Sequence, residues 1–217
     1  MFTTGFPAES VGAIPKEITV IVDSGISIKP THLLAVYESQ VSLIETANRQ
    51  AKLYPIHDIV LAAYCANLRP RPLVNVATNA EVNDQATLPV LALRVPCPNA
   101  FPVLLKFLYN PAPVSLLCEL LGCASVEEIA HIPVDLMLKP RWSLYLARSR
   151  TAQELFSLAQ MVVGLWMNAV TLGVFDQVLW RVMDYAWNVL YGALYRRNAQ
   201  RRERIIALRQ PIARPAA

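Results

Sequence analysis

"YPIHDIVLAAYCANL", Tyr54 to Leu68, sets a His–Asp pair at the mouth of an apolar run. A catalytic pair needs a base oriented by a carboxylate, with a nucleophile within hydrogen-bond reach. Successive residues on a helix point about 100° apart, so Asp58 is badly placed to orient His57. Cys65 is eight positions beyond His57, about 12 Å up a helix axis. The stretch reads instead as a helix entrance. Pro55 limits the element before it, Asp58 brings negative charge to the new N-terminus, and His57 packs and hydrogen-bonds there as a structural histidine. Val60, Leu61 and Ala63 then enter a core.

Upstream, "EITVIVDSGISIKP" (Glu17–Pro30) has a β-branched run, a Ser-Gly turn and a short alternating segment, the pattern of a hairpin. Thr31 is placed to cap a helix over Thr31–Leu53, on which Leu33, Tyr37, Val41, Ile44 and Ala51 share a face. Downstream, Arg69–Pro89 is rich in Pro, Asn and Thr and reads as a long polar loop, residues 69–89. "VLALRV" fits a strand stopped by Pro96 and Pro98. "NAFPVLLKFLYN" fits a short helix with Pro102 in its first turn, where a missing N–H is harmless. "PVSLLCELLG" fits another, ending at Gly122. Ser125 and Glu128 have capping-box spacing. From Trp142 to Arg209 the pattern is helical throughout.

Hydrophobic residues make up 54% of the 217, which excludes a mostly disordered chain. The net charge of +4 is uneven: residues 196–217 hold seven arginines against one glutamate, behind a mildly acidic body. That asymmetry fits an address or an electrostatic docking segment better than a surface that coats nucleic acid. The N-terminus lacks the basic and apolar regions of a secretory signal. Cys65, Cys97, Cys118 and Cys123 form no C-x-x-C or Cys/His pattern, so reduced thiols in an intracellular protein are expected, with no metal and no cofactor.

Two stretches fit one family in the right order. "HDIVLAAYC" (His57–Cys65) resembles the H-x-x-V-L-A-A-x-S segment of BTB/POZ domains, with Cys65 in place of Ser. "AFPVLLKFLYN" (Ala100–Asn110) resembles their A-F-x-x-L-L-x-F-L-Y-T segment, with Asn110 in place of Thr. The match runs over Ile18–Gly122, with His57, Asp58, Phe101 and Tyr109 as its structural markers. It departs from the family in the helix expected at Thr31–Leu53 and in the length of the polar loop. The chain as a whole resembles the clampless-type regulators of basidiomycete fungi. That likeness implies a role in mating-type-controlled development, with partners among transcription regulators.

Other features carry their own readings. Asp23-Ser24-Gly25 resembles the loop of an aspartic protease, whose second carboxylate only dimerisation would supply, and also a common hairpin turn. Leu155–Phe175 is 21 residues without a charge, long enough to span a bilayer. Within it Ser157, Gln160, Gly164, Asn168 and Thr171 line up as one polar or small stripe, as on a buried helix with a wet edge. Trp180, Trp187 and Tyr191 recur at helical spacing, either as core or as a partner-binding face. Arg196, Arg197, Arg201, Arg202 and Arg204 form a patch suited to a nuclear address, to phosphate contact, or simply to a solvated helix end.

The expected architecture is therefore α+β. An N-terminal tail (1–16) leads to a BTB/POZ-like small sheet flanked by helices (17–124), an all-α extension (125–195) and a basic tail (196–217). The expected role is a non-enzymatic protein–protein interaction module, nuclear or nucleocytoplasmic, with no catalytic residues. Protein partners and possible homodimers are expected, with nucleic acid touched only through the tail. A membrane-associated protein anchored through 155–175 is the alternative, and a dimeric aspartic protease the remote one.

Overall fold

The computed structural model of the chain describes residues 5–8, 14–21, 28–38, 49–68, 85–123 and 139–209. Among them are five strands: β1 (Gly5–Ala8), β2 (Glu17–Ile21), β3 (His32–Glu38), β4 (Arg49–Ile56) and β5 (Gln85–Val95). Six helices accompany them: α1 (Asp58–Tyr64), α2 (Phe101–Tyr109), α3 (Pro113–Leu121), α4 (Lys139–Ser149), α5 (Ala152–Leu172) and α6 (Gln177–Arg209). The fold is α+β. It divides into two compact units, Met1–Pro111 with Gly164–Asp176, and Ala112–Val163 with Gln177–Ala217.

The first unit is built on β3. Leu33, Leu34, Ala35 and Val36 are consecutive and all buried, so this strand has apolar surroundings on both faces. It is the middle of a five-stranded sheet ordered β1-β4-β3-β5-β2. β4 runs antiparallel to it, with Leu34 opposite Tyr54, and β5 runs parallel, with Leu33 opposite Val90.

Two sequence expectations fail here. Thr31–Leu53 is not a helix: its described residues form β3 and the start of β4. Leu33 and Tyr37 do share a helical face, but Leu34, Ala35 and Val36 would then lie off it, and a strand flanked by partners buries all of them. A short apolar run does not choose between these states; the pairing partners do. Glu17–Pro30 is likewise not a hairpin among its described residues, because β2 pairs with β5, Thr19 opposite Thr87. The two threonine hydroxyls hydrogen-bond at 3.0 Å across that pair.

β5 begins five residues ahead of the expected "VLALRV", inside the stretch read as loop; residues 69–84 lie outside the described residues. Its first half pairs with β2 and its second half with β3, and Pro89 sits at the changeover. The parallel ladder starts at Val90, so the missing N–H of Pro89 removes no bond to β3. Pro55 is handled the same way, lying past Arg49–Lys52, the part of β4 that pairs with β1. β1 itself lies in the stretch expected as an N-terminal tail.

In the same unit the end of α5 is fastened to two turns. Asn168, fully buried, accepts from the Cys97 N–H at 2.9 Å and donates to the Cys97 carbonyl at 2.7 Å. Gly164 lets Cys97 approach, since a Cβ there would meet the Cys97 Sγ at 2.5 Å. Gly173 ends the helix at φ 69°, and the Asn67 amide donates to the Thr171 carbonyl at 3.1 Å. A polar residue is tolerated in this interior because both halves of its amide are satisfied.

The second unit is helical. Pro113 starts α3, and Gly122 (φ 64°) ends it with a paired stop: the Gly122 N–H donates to Glu119 and the Cys123 N–H to Cys118. The Arg150 guanidinium donates to the Gly122 carbonyl. α4 and α6 run side by side in the same direction. The Ser143 hydroxyl donates to the Val189 carbonyl at 3.0 Å, and Arg197 donates to the Ala147 carbonyl at 2.9 Å. α5 opens with a capping box, Thr151-x-x-Glu154, that the sequence reading did not single out. The Thr151 N–H donates to Glu154 at 2.6 Å, and the Glu154 N–H donates back to the Thr151 hydroxyl at 3.2 Å. The box expected at Ser125 and Glu128 lies outside the described residues.

Two outcomes follow. A Cβ at Gly192 would stand 2.6 Å from the Ser143 Oγ. Gly192→Ala is therefore expected to lose about 1–3 kcal/mol in thermal unfolding, and to cost much less when made in a Ser143→Gly background, measured against Ser143→Gly alone. An equal cost of Gly192→Ala in both backgrounds would show that the contact is not the cause. The Thr151 N–H, then its hydroxyl, hold the Glu154 carboxyl below its usual range. A lowered folded value means the cap is intact above the ordinary glutamate pKa and is lost as pH falls through the folded one. In an NMR titration the Thr151 amide should follow that depressed midpoint; an ordinary glutamate midpoint would contradict the cap.

Candidate interaction surfaces

The residues that marked the first unit in sequence meet in space. The Tyr109 hydroxyl accepts the backbone N–H of His57 at 2.7 Å and lies 3.0 Å from its Nδ1, with the rings edge-on and their centroids 5.8 Å apart. Since the hydroxyl oxygen already accepts from the backbone, its proton is available for Nδ1. The last residue of α2 thus clasps the residue that precedes α1. Phe101, at the other end of α2, is fully buried and packs its ring against Tyr54 on β4, centroids 5.6 Å apart.

Asp58 takes a different partner. Its N–H donates to the Thr31 hydroxyl at 2.9 Å, and that hydroxyl lies 3.1 Å from the Asp58 Oδ1. Thr31 does cap a helix, but across the sheet: the helix is α1, and the cap comes from the start of β3. Its residue type was the available signal, and the distance along the chain hid the target. His57 and Asp58 are therefore held by separate partners, not by each other. Burial pushes the Cys65 thiol up to about 11, which keeps it protonated at neutral pH. Desolvation likewise raises Tyr109, against the opposing effect of the His57 N–H. Tyr109 and Thr31 thus tie backbone segments together.

Among the described residues no cluster of three His, Cys, Asp or Glu side chains is placed to hold a metal ion. Asp23, Ser24 and Gly25 lie outside the described residues.

On α5 the expected polar stripe does not form one wet edge. Gly164 and Asn168 face inward, while Ser157, Gln160 and Thr171 are exposed. The exposed face of this helix also carries Phe156, Val163, Trp166 and Val170, each 40–51% exposed. By length and composition α5 could cross a membrane, and 44% of its most apolar stretch is buried.

α6 runs on to Arg209, so most of the expected tail is helix. Trp187 and Tyr191 are exposed on it, and Trp180 is half-buried. Tyr195, one turn beyond Tyr191, extends the exposed aromatic row; the same spacing in sequence would have found it. Of the arginines, Arg196 and Arg197 are half-buried, Arg197 occupied by the end of α4, while Arg201 and Arg202 are exposed and Arg204 lies further along the same helix.

Comparison with known protein families matches both halves of the chain. The model of the Clampless protein 1 N-terminal domain matches residues 3–96, and that of the Clampless protein 1 C-terminal domain matches residues 114–216. The chain belongs to the clampless protein family. In this clampless chain the N-terminal match closes just after β5 and the C-terminal match opens within α3, so α2, with Phe101 and Tyr109, lies between them. Clampless membership fits a developmental regulator in fungi. No curated protein and no solved structure matches the chain.

The clasp can be tested directly. Tyr109→Phe keeps the ring and removes the oxygen that serves the His57 N–H and Nδ1. A loss of about 1 kcal/mol in urea unfolding is expected, with faster hydrogen exchange at the His57 amide. Unchanged exchange there would show that the hydroxyl does not hold this junction.

Proposed function

We propose that this clampless-family chain is a non-enzymatic regulator of fungal sexual development that acts by docking proteins, transcription regulators among them, in the nucleus. The observation that carries the docking part is the order of elements around the His57–Tyr109 clasp. An antiparallel pair, β3 and β4, feeds directly into the His57 helix; a strand parallel to β3 follows, then α2 and α3. That order supports the divergent BTB-like reading, since among the described residues β3 and the start of β4 stand where a helix was expected before His57. By analogy with that fold, mechanism here means display of docking faces. The family match supports the developmental part, and the arginines of α6 support a nuclear address.

A membrane-associated role is the second reading, favoured by the exposed apolar face of α5. Against it stand Gly164, packed on the Cys97 side chain, and Asn168, bonded to the Cys97 backbone, the close fit of an interior helix.

The test is made in the fungus that encodes the protein, by deleting the gene and restoring it as a tagged copy. Deletion is expected to arrest sexual development, and the restored protein to fractionate with nuclei and co-purify with transcription regulators. Normal development without the gene would sink the regulatory reading. Recovery only in membrane pellets after a high-salt wash would favour the membrane reading.

A further inference from the structure

α6 carries more apolar surface on its outer side than its unit needs. Trp187, Tyr191 and Tyr195 follow at four-residue steps, which places their side chains one above another on a single face. They are 42%, 62% and 69% exposed. The opposite side of the same helix buries Val182, Ala186, Val189, Leu190 and Ala193, so the interior closes without the three rings. Exposed aromatics grouped in this way are the material of interface centres, because they bury large area while losing little side-chain entropy.

The charges beside the row are not symmetric. At its start Arg181 and Asp184 have opposite signs. Beyond its end Arg202, seven residues after Tyr195 on the same face, and the adjacent Arg201 are both exposed. Trp187 to Arg202 spans about 22 Å, or about four helical turns.

We propose that this face receives an acidic amphipathic helix from a partner protein, its apolar side on Trp187, Tyr191 and Tyr195 and its carboxylates at Arg201 and Arg202. Charge complementarity selects this occupant: a basic helix of the same apolar pattern would bring its cations against two exposed guanidinium groups. The inference rests on the interaction-module reading and names the chemistry of one partner.

The full-length chain is titrated with two labelled synthetic helices of about four to five turns, read by fluorescence anisotropy. Both carry leucines along one face; the remaining positions are glutamate in one and lysine in the other. The glutamate helix is expected to bind at least about tenfold more tightly, with a marked salt dependence. Tyr191→Ser with Tyr195→Ser should weaken it about tenfold, and Trp187→Ala should act in the same direction. Arg201→Glu with Arg202→Glu should reverse the preference between the two helices. These positions are exposed, so the melting temperature should stay near that of the parent. Should Trp187→Ala unfold the chain, the double tyrosine variant still decides.

Equal binding of both helices, or undiminished binding by the tyrosine variant, overturns the proposal. So does a row whose substitution abolishes only sedimentation with phosphatidylserine vesicles, or only self-association, with peptide binding intact. Binding of the glutamate helix through these residues, together with normal development in the deletion strain, would sink the regulatory reading and leave this one standing. Arrested development without peptide binding would do the reverse.

Discussion

Burying β3 on both faces is the constraint on which the first unit depends. A strand with consecutive Leu33, Leu34, Ala35 and Val36 satisfies its backbone only through neighbours on each side, and its side chains only through apolar cover above and below. One neighbour, β4, follows it closely in sequence. The other, β5, comes from beyond the 69–84 stretch and runs parallel, so a crossover is required. The connection includes α1, and α1 is capped by Thr31 at the very start of β3. The strand and its crossover are therefore joined where each begins.

The polar contacts that matter in the fold are those that serve backbone groups. Tyr109 serves the His57 N–H, Asn168 both polar groups of Cys97, Asn67 the end of α5, and Arg197 the end of α4. Each replaces a bond that a turn or a helix terminus lacks internally. A pair such as His57–Asp58, adjacent in sequence and chemically suggestive, is pulled apart by this demand: one residue goes to Tyr109 and the other to Thr31. The result is a scaffold in which these polar side chains hold turns and helix ends in place.

Much of the C-terminal half was legible because its signals are local. Pro102 in a first helical turn, Gly122 as a left-handed stop and the long periodic segments after Trp142 depend on a residue's own backbone preferences and on near neighbours. The same held for the ordered pair of segments that pointed to a sheet between helices. The helix read at Thr31–Leu53 failed because Leu33 and Tyr37 satisfy a helical spacing that cannot register Val90 or Tyr54 across the sheet. The polar stripe on α5 failed for a related reason, since only the position of Cys97 makes an inward Asn168 acceptable.

By itself, the sequence determined which segments are apolar, that Pro102 opens one helix and Gly122 closes the next, where positive charge collects, and that the chain is α+β. Those properties belong to short stretches and their intrinsic conformational costs. Tertiary structure alone decided that β3 is a strand, that Thr31 caps a helix 27 residues further on, and that Trp187, Tyr191 and Tyr195 stay in water. Pairing and burial are set by partners distant in sequence, and a side chain's exposure depends on what packs beside it more than on what it is.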